Sequence, residues 1–323
     1  MELFKGVHQI GVRMARATNL FMYLFTGKNP ILVDTAVVGG PRDTLVPYLT
    51  EIGLSPTDLS LALITHCDPD HFGGNSELRA LSPRTLLTVH DKDAEMASDP
   101  EMVMRLRLGE FRKDHDVFYS TETWNAVRAM MGSAVPIDVR LSGGEKLLVD
   151  DDLLLEVIHA PGHTRGHISI FDARDRAVFI GDAVLGRSVP DVDGKPALAP
   201  TYRYVDEYLS TIRTIRGLKP RYIYSTHFPP MEGSDAMRFL DDSEKFVGTL
   251  ESEIQKMVRE SRDPLPMKRM IREANARLKI CPEHAELDLA FPIAGHLERL
   301  VKKKRLKTLP TSPLTYRASR ARR

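Results

Sequence analysis

The feature that most constrains this chain is the run Thr65-His66-Cys67-Asp68-Pro69-Asp70-His71-Phe72-Gly73-Gly74, set directly after the apolar segment LSLALIT. Four groups able to ligate a cation, His66, Asp68, Asp70 and His71, fall within six residues. An apolar segment of that length before turn residues reads as a buried strand, so all four emerge at one strand end. Gly73 and Gly74 let the backbone turn tightly beneath them. A lone His or Asp is ordinarily a surface or satisfied core group, but four packed after a buried strand indicate a ligand cluster.

Three later positions repeat the pattern. His163 stands in Ala160-Pro161-Gly162-His163-Thr164, Asp182 in Ile180-Gly181-Asp182, and His227 in Ser225-Thr226-His227, each after an apolar strand-like segment. Loops at strand ends are where ligands of open sheets gather. Together these positions supply four imidazoles and three carboxylates, enough for two divalent ions sharing a bridging Asp and able to activate a water.

The organisation between them is α/β. Residues 20–38 read as strand, turn and strand around Gly27-Lys28-Asn29-Pro30, and RDTLVPYLTEIGL (42–54) has helical spacing. The strand TLLTV (85–89), a mostly helical stretch and the strands VRLSGG, EKLLVD, LLLEVIHA, HISIFDA and AVFIGD follow, then the helix VDEYLSTIRTIRGL and the strand RYIYST. From about residue 243 the pattern is helical. Residues 302–323 hold nine basic residues and no acidic one, and their last dozen lack periodicity, which predicts disorder for 311–323.

The HxxxDH run with Gly-Gly, the Pro-Gly-His-Thr turn, the Gly-Asp and the late His resemble the metallo-β-lactamase superfamily over residues 8–230. The resemblance implies a four-layer αββα sandwich with the metal site at one edge, between the sheets. It also implies that His66, Asp68 and His163 hold a first ion, that Asp70, His71 and His227 hold a second, and that Asp182 bridges. Asp70 would orient the hydroxide and be the catalytic residue. The usual motif is HxHxDH, whereas this chain has HxDxDH. A neutral nitrogen donor suits zinc, while a carboxylate at Asp68 adds a harder donor and leaves iron or manganese open, or a weakened first site. The flavodiiron branch is similar in carrying an acidic residue there, but this chain lacks the flavin-binding domain, so hydrolysis is preferred to di-iron redox chemistry or simple binding.

The expected domains are a catalytic unit over 1–240, a helical lid insertion at about 99–135, a helical unit over 241–310, and the basic tail. The helical unit resembles the winged-helix-like appendage of some hydroxyacylglutathione-hydrolase-like and endoribonuclease-like members. The lid carries Met102, Met104, Phe111, Trp124 and Met130, which points to an apolar pocket and a small organic ester, thioester, lactone or amide, with its binding residues unassigned. Tyr202 and Tyr204 are candidate oxyanion donors. Asp34 reads as ordering the ligand loop, His167 as a partner of a ligand, and Cys67 as structural.

Composition trims the remaining classes. With 45 Lys plus Arg against 44 Asp plus Glu, the chain is no uniformly basic nucleic-acid coat, although the tail keeps metal-dependent RNA cleavage as an alternative. Two cysteines exclude a disulfide framework and make the cytoplasm the default, where a homodimer remains open. Charged residues interrupt the apolar amino terminus, including Arg13 and Arg16, so it lacks a signal-peptide core. No segment reaches the roughly 18 apolar residues of a membrane span, and no membrane partner is expected.

Overall fold

Strict alternation along short apolar strands sets the layers. In the strand Phe21–Phe25, Tyr23 and Phe25 join one buried cluster while Met22 and Leu24 join another. Both faces of this strand are covered, so period two produces two separate cores. The computed structural model describes residues 1–12 and 18–319; Arg13, Arg16, Arg320, Arg322 and Arg323 lie outside them.

Among the described residues, seven strands form the first sheet in chain order, from Glu2–Phe4 to Val139–Leu141, antiparallel at its start and parallel from Ile31–Val33 onward. The second sheet has six strands, with Ala177–Gly181 between Ile168–Asp172 and a parallel Tyr222–Ser225. Between the sheets lie Val7, Phe25, Val33 and Leu63 from one side and Leu155, Val157, Ile170 and Phe179 from the other. Burying each such side chain stabilises the fold by about 1.5–3 kcal/mol before conformational entropy is counted. Helices Val46–Glu51 and Asn75–Leu81 cover the outer face of the first sheet through Leu49 and Leu78. Helix Val205–Gly217 covers the second through Tyr208, Ile212 and Ile215. The four layers are therefore αββα, as expected, and among the described residues no helix is long and apolar enough to cross a membrane.

The carboxy-terminal region differs from the expectation in two ways. First, residue 240 falls inside the single helix Ser234–Glu260, and Val178, Ile180, Leu250, Ile254, Met270 and Leu297 share one core. The helical region thus packs on the outer layer of the second sheet and has no core of its own. Second, residues 311–319 are ordered: strand Thr315–Ala318 lies between Leu306–Leu309 and Leu265–Pro266. Composition missed it because the strand is short and gains its order from tertiary contact, with Tyr316 buried and its ring stacked on His115 of the insertion. The order in this region is helix, strand, helix, a short 3-10 segment, helix, strand, strand.

A buried polar chain docks this unit. The Tyr202 hydroxyl donates to His296 Nε2 (3.0 Å), His296 Nδ1 donates to Glu251 (3.3 Å), and Arg299 joins Glu251 to Asp206. The hydrogen bond from His296, together with Arg299, holds the Glu251 carboxyl down at about 2, against an ordinary value of 4.5. A depressed folded-state value contributes stability that is present above pH 4.5 and lost as the pH falls toward 2. Glu251→Gln should therefore lower stability at neutral pH by about 1–2 kcal/mol and flatten the acid limb of a plot of Tm against pH between those values.

Candidate metal centre

Each ligand position sits just beyond a strand. His66 and Asp68 follow strand Leu61–Leu63, and Pro69 opens the one-turn helix Pro69–Phe72 that carries Asp70 and His71. His163 follows Leu153–His159, Asp182 follows Ala177–Gly181, and His227 follows Tyr222–Ser225. Glycine is required where these turns are crowded. Gly162 has φ of +140°, and a Cβ there would lie 2.4 Å from Tyr208 Cα. At Gly74 a Cβ would meet the Thr35 carbonyl oxygen at 2.3 Å.

All seven predicted residues converge, in two clusters. In the first, His163 Nε2 lies 3.0 Å from His66 Nε2 and 2.9 Å from Asp68 Oδ2, with His66 and Asp68 3.8 Å apart. In the second, His227 Nε2 is 3.4 Å from both Asp70 Oδ2 and Asp182 Oδ2, and His71 Nε2 is 3.6 Å from Asp182 Oδ2. Tetrahedral ligands at ordinary zinc distances stand about 3.3 Å apart, so both clusters have the right dimensions. Asp182 Oδ1 and His71 Nε2 are buried with no hydrogen-bond partner, which is costly unless a cation is there to take them.

The other ring nitrogens are committed, and this aims the free ones inward. His71 Nδ1 donates to Asp34 Oδ2 at 2.8 Å, and Asp34 also accepts from the Thr65 amide at 2.7 Å and the Thr65 hydroxyl at 2.9 Å. His227 Nδ1 donates to the Asn19 carbonyl at 2.8 Å, and His66 Nδ1 contacts Thr65 Oγ1 at 3.0 Å. His167 serves a ligand, as expected, with its Nε2 accepting the Asp182 amide at 3.0 Å. Burial, reinforced by the neighbouring imidazoles, holds His66 well below the usual imidazole value. Burial pushes the other way from charge at His227, where Asp182 and Asp70 prevail and lift it to about 10. For Asp182 burial is likewise outweighed, and His227 and His71 keep it well below the carboxylate range.

The profile of the Metallo-beta-lactamase superfamily matches residues 15–227, about two thirds of the sequence. The chain belongs to the metallo-β-lactamase superfamily. It is 23% identical over 227 residues to the Beta-lactamase-like protein 2 homolog of Caenorhabditis elegans, covering 70% of this chain and 60% of that one. With Hydroxyacylglutathione hydrolase GloC of Haemophilus influenzae it shares 26% identity over 167 residues, 51% of this chain and 66% of that one. The matches thus span less than two thirds of these relatives' lengths. A crystal structure of a metallo-beta-lactamase family protein from Thermus thermophilus superposes with a TM-score of 0.74, at 21% identity, covering 98% of this chain and 99% of that one. A beta-lactamase domain protein from Burkholderia ambifaria gives 0.72 at 15% identity, with 98% and 93% covered. The likeness in fold therefore includes the carboxy-terminal unit.

Within this metallo-β-lactamase frame two buried residues escaped the sequence reading. Arg107, from the insertion, donates Nε to Asp68 Oδ1 at 2.8 Å and Nη2 to Asp68 Oδ2 at 3.1 Å. Despite burial, this guanidinium with His163 holds the Asp68 carboxyl well below its usual range. Asp93 accepts from Thr164 Oγ1 (2.6 Å), the Gly166 amide (2.8 Å) and the Cys67 amide (3.3 Å), tying the His163 turn to the ligand run. Neither lies near a motif, and no sequence signal marked them. Of the other candidates, the Tyr202 hydroxyl is bonded to His296, the Tyr204 ring lies under the Arg165 guanidinium at 4.1 Å, and Trp124 packs against the cluster that holds Cys67 and Phe72. Cys67 is fully buried and structural, as expected.

Because the Asp34 carboxylate orients the His71 ring, Asp34→Ala should weaken binding of one zinc ion about 10- to 100-fold, measured by competition with a chromophoric chelator.

Proposed function

We propose that this chain is a metal-dependent hydrolase of a small organic ester or thioester. The observation that carries the reading is a cleft of about 500 Å³ whose floor includes Asp68, Asp70, Asp182 and His227 and whose walls are mostly apolar. That volume suits a small molecule. Leu108, Val127 and Met130 of the insertion form one wall, Val189 and Leu198 a second, and Phe291 of the carboxy-terminal unit a third. Relatives named hydroxyacylglutathione hydrolase favour a thioester among the candidate bonds.

Asp70, His71, Asp182 and His227 would hold divalent metal, and His66, Asp68 and His163 form a second candidate set, with Asp182 also within reach of His66. Such an ion lowers the pKa of a water it binds toward 7 and polarises a carbonyl oxygen. Zinc is the preferred ion: both Asp68 oxygens are engaged by Arg107, so the carboxylate that favoured iron or manganese is committed to the guanidinium. Asp70 lines the cleft and lies beside His71 and His227. Its carboxylate orients the attacking water and accepts a proton from it. As the carbon–sulfur or carbon–oxygen bond breaks, that proton passes to the departing thiolate or alkoxide. The apolar walls exclude competing water and seat the acyl group.

A second reading, RNA cleavage, draws on a groove lined by Arg259, Lys303, Lys304, Arg305 and Lys307. This groove shares no lining residue with the cleft, so the small-molecule reading is preferred.

The test is turnover of ester, thioester, lactone and phosphodiester panels with and without chelator. Ester or thioester hydrolysis should vanish on chelation and return with zinc. Asp70→Asn should lower kcat by about 10²- to 10⁴-fold. Met130→Ala should raise KM for apolar substrates with kcat little changed. Hydrolysis indifferent to chelator, or phosphodiester cleavage alone with salt-dependent RNA binding, would overturn the proposal.

A further inference from the structure

The two ligand clusters are satisfied in different ways. In the second, His71 Nε2 and Asp182 Oδ1 are buried with no hydrogen-bond partner. In the first, the ligating atoms already face a cation. Arg107 Nη2 lies 3.1 Å from Asp68 Oδ2 and 3.4 Å from His163 Nε2, and Nε holds Asp68 Oδ1 at 2.8 Å. One guanidinium nitrogen therefore approaches two of the three atoms that would bind the first ion. A fork of this kind matches a carboxylate in plane and is always charged.

Arg107 is held in place from outside the ligand loops. Its side chain is only 6% exposed, and its guanidinium lies over the Phe291 ring at 4.3 Å from the centroid. Phe291 lies in the first turn of the helix Ala290–Lys302, which approaches so closely at Gly295 that a Cβ there would sit 2.3 Å from the Arg203 carbonyl oxygen. Arg203 in turn donates to Glu110, three residues beyond Arg107, at 2.8 Å and to Glu298 at 3.0 Å. Insertion and carboxy-terminal helix are thus braced around this one side chain. A buried cation so fixed cannot withdraw freely when a divalent ion approaches Asp68 and His163, and the two repel.

We infer that Arg107 takes the place of the first metal ion, so that the protein holds one divalent ion tightly, at Asp70, His71, Asp182 and His227, with Asp68 serving as the anchor of Arg107. The HxDxDH variant then has a physical meaning. A neutral histidine at position 68 could accept at most a single hydrogen bond from a guanidinium, whereas a carboxylate pairs with it through two and carries the opposite charge. Arg107 supplies at that side of the cleft a fixed positive charge beside the reacting group, where another member of the fold would use an ion. This assignment rests on the hydrolase reading of the cleft, although the ion count is measured independently of it.

The experiment is calorimetric titration of metal-free protein with zinc, paired with elemental analysis after gel filtration. The wild type should bind one ion tightly and a second about 100-fold more weakly or not at all. Arg107→Met should tighten the second ion by about tenfold or more and bring the count toward two. Phe291→Leu, which keeps the guanidinium but removes the ring beneath it, should act in the same direction and serves if the Arg107 variant fails to fold. Two ions of matched affinity in the wild type would overturn the assignment, as would an unchanged count in folded variants. Chelator-sensitive hydrolysis with two tight ions would refute only this assignment. One tight ion without hydrolysis would refute only the proposed function.

Discussion

Packing four imidazoles and three carboxylates into one buried corner is the constraint on which the rest of this structure depends. Charges removed from water are tolerable only when each is paired and hydrogen-bonded. Asp34 meets part of that requirement by gripping Thr65 and His71 together, and Asp93 meets another part by joining the His163 turn to Cys67. The strands bring the ligands to one edge, but these two carboxylates hold the loops in register. Where hydrogen bonding stops, at His71 Nε2 and Asp182 Oδ1, the protein leaves buried polar atoms that a cation would complete.

The carboxy-terminal unit takes part in that corner and is not a detached appendage. Its helix Ala290–Lys302 places Phe291 both beneath Arg107 and in the wall of the cleft. Tyr119 of the insertion donates to Asp288 at 2.7 Å, and the strand Thr315–Ala318 brings Tyr316 against His115. Insertion and carboxy-terminal unit therefore close over the ligands as a pair, each ordering the other. Ordering costs entropy, and the shared core with its Glu251–His296–Tyr202 chain offsets it.

Much of the fold was legible because it follows from local chemistry. Alternating apolar residues predicted the strands, and turn residues predicted where they end, so the gathering of His66, Asp68, Asp70, His71, His163, Asp182 and His227 at strand ends could be read in order, while the αββα layering was implied by the family resemblance those motifs carry. Other features resist such reading. Trp124 stands beside cleft residues in sequence, yet of the helix Thr121–Arg128 it is Thr123 and Val127 that line the cleft, while Trp124 packs against the cluster that includes Cys67 and Phe72. Tyr202 follows the expected loop but is drawn away by His296, a partner 94 residues further on. A basic, aperiodic tail becomes a strand because two other segments offer it a ladder.

Sequence alone determined which groups could ligate and that they leave strand ends, since both are properties of residue type and short-range period. It also determined that position 68 carries a carboxylate where a neutral imidazole is usual. Only the tertiary structure decided what that carboxylate faces. Arg107 lies 39 residues away in an insertion with no motif, and its orientation depends on Phe291, near the other end of the chain. Long-range pairing of this kind is set by packing between distant segments, which neither spacing nor composition encodes.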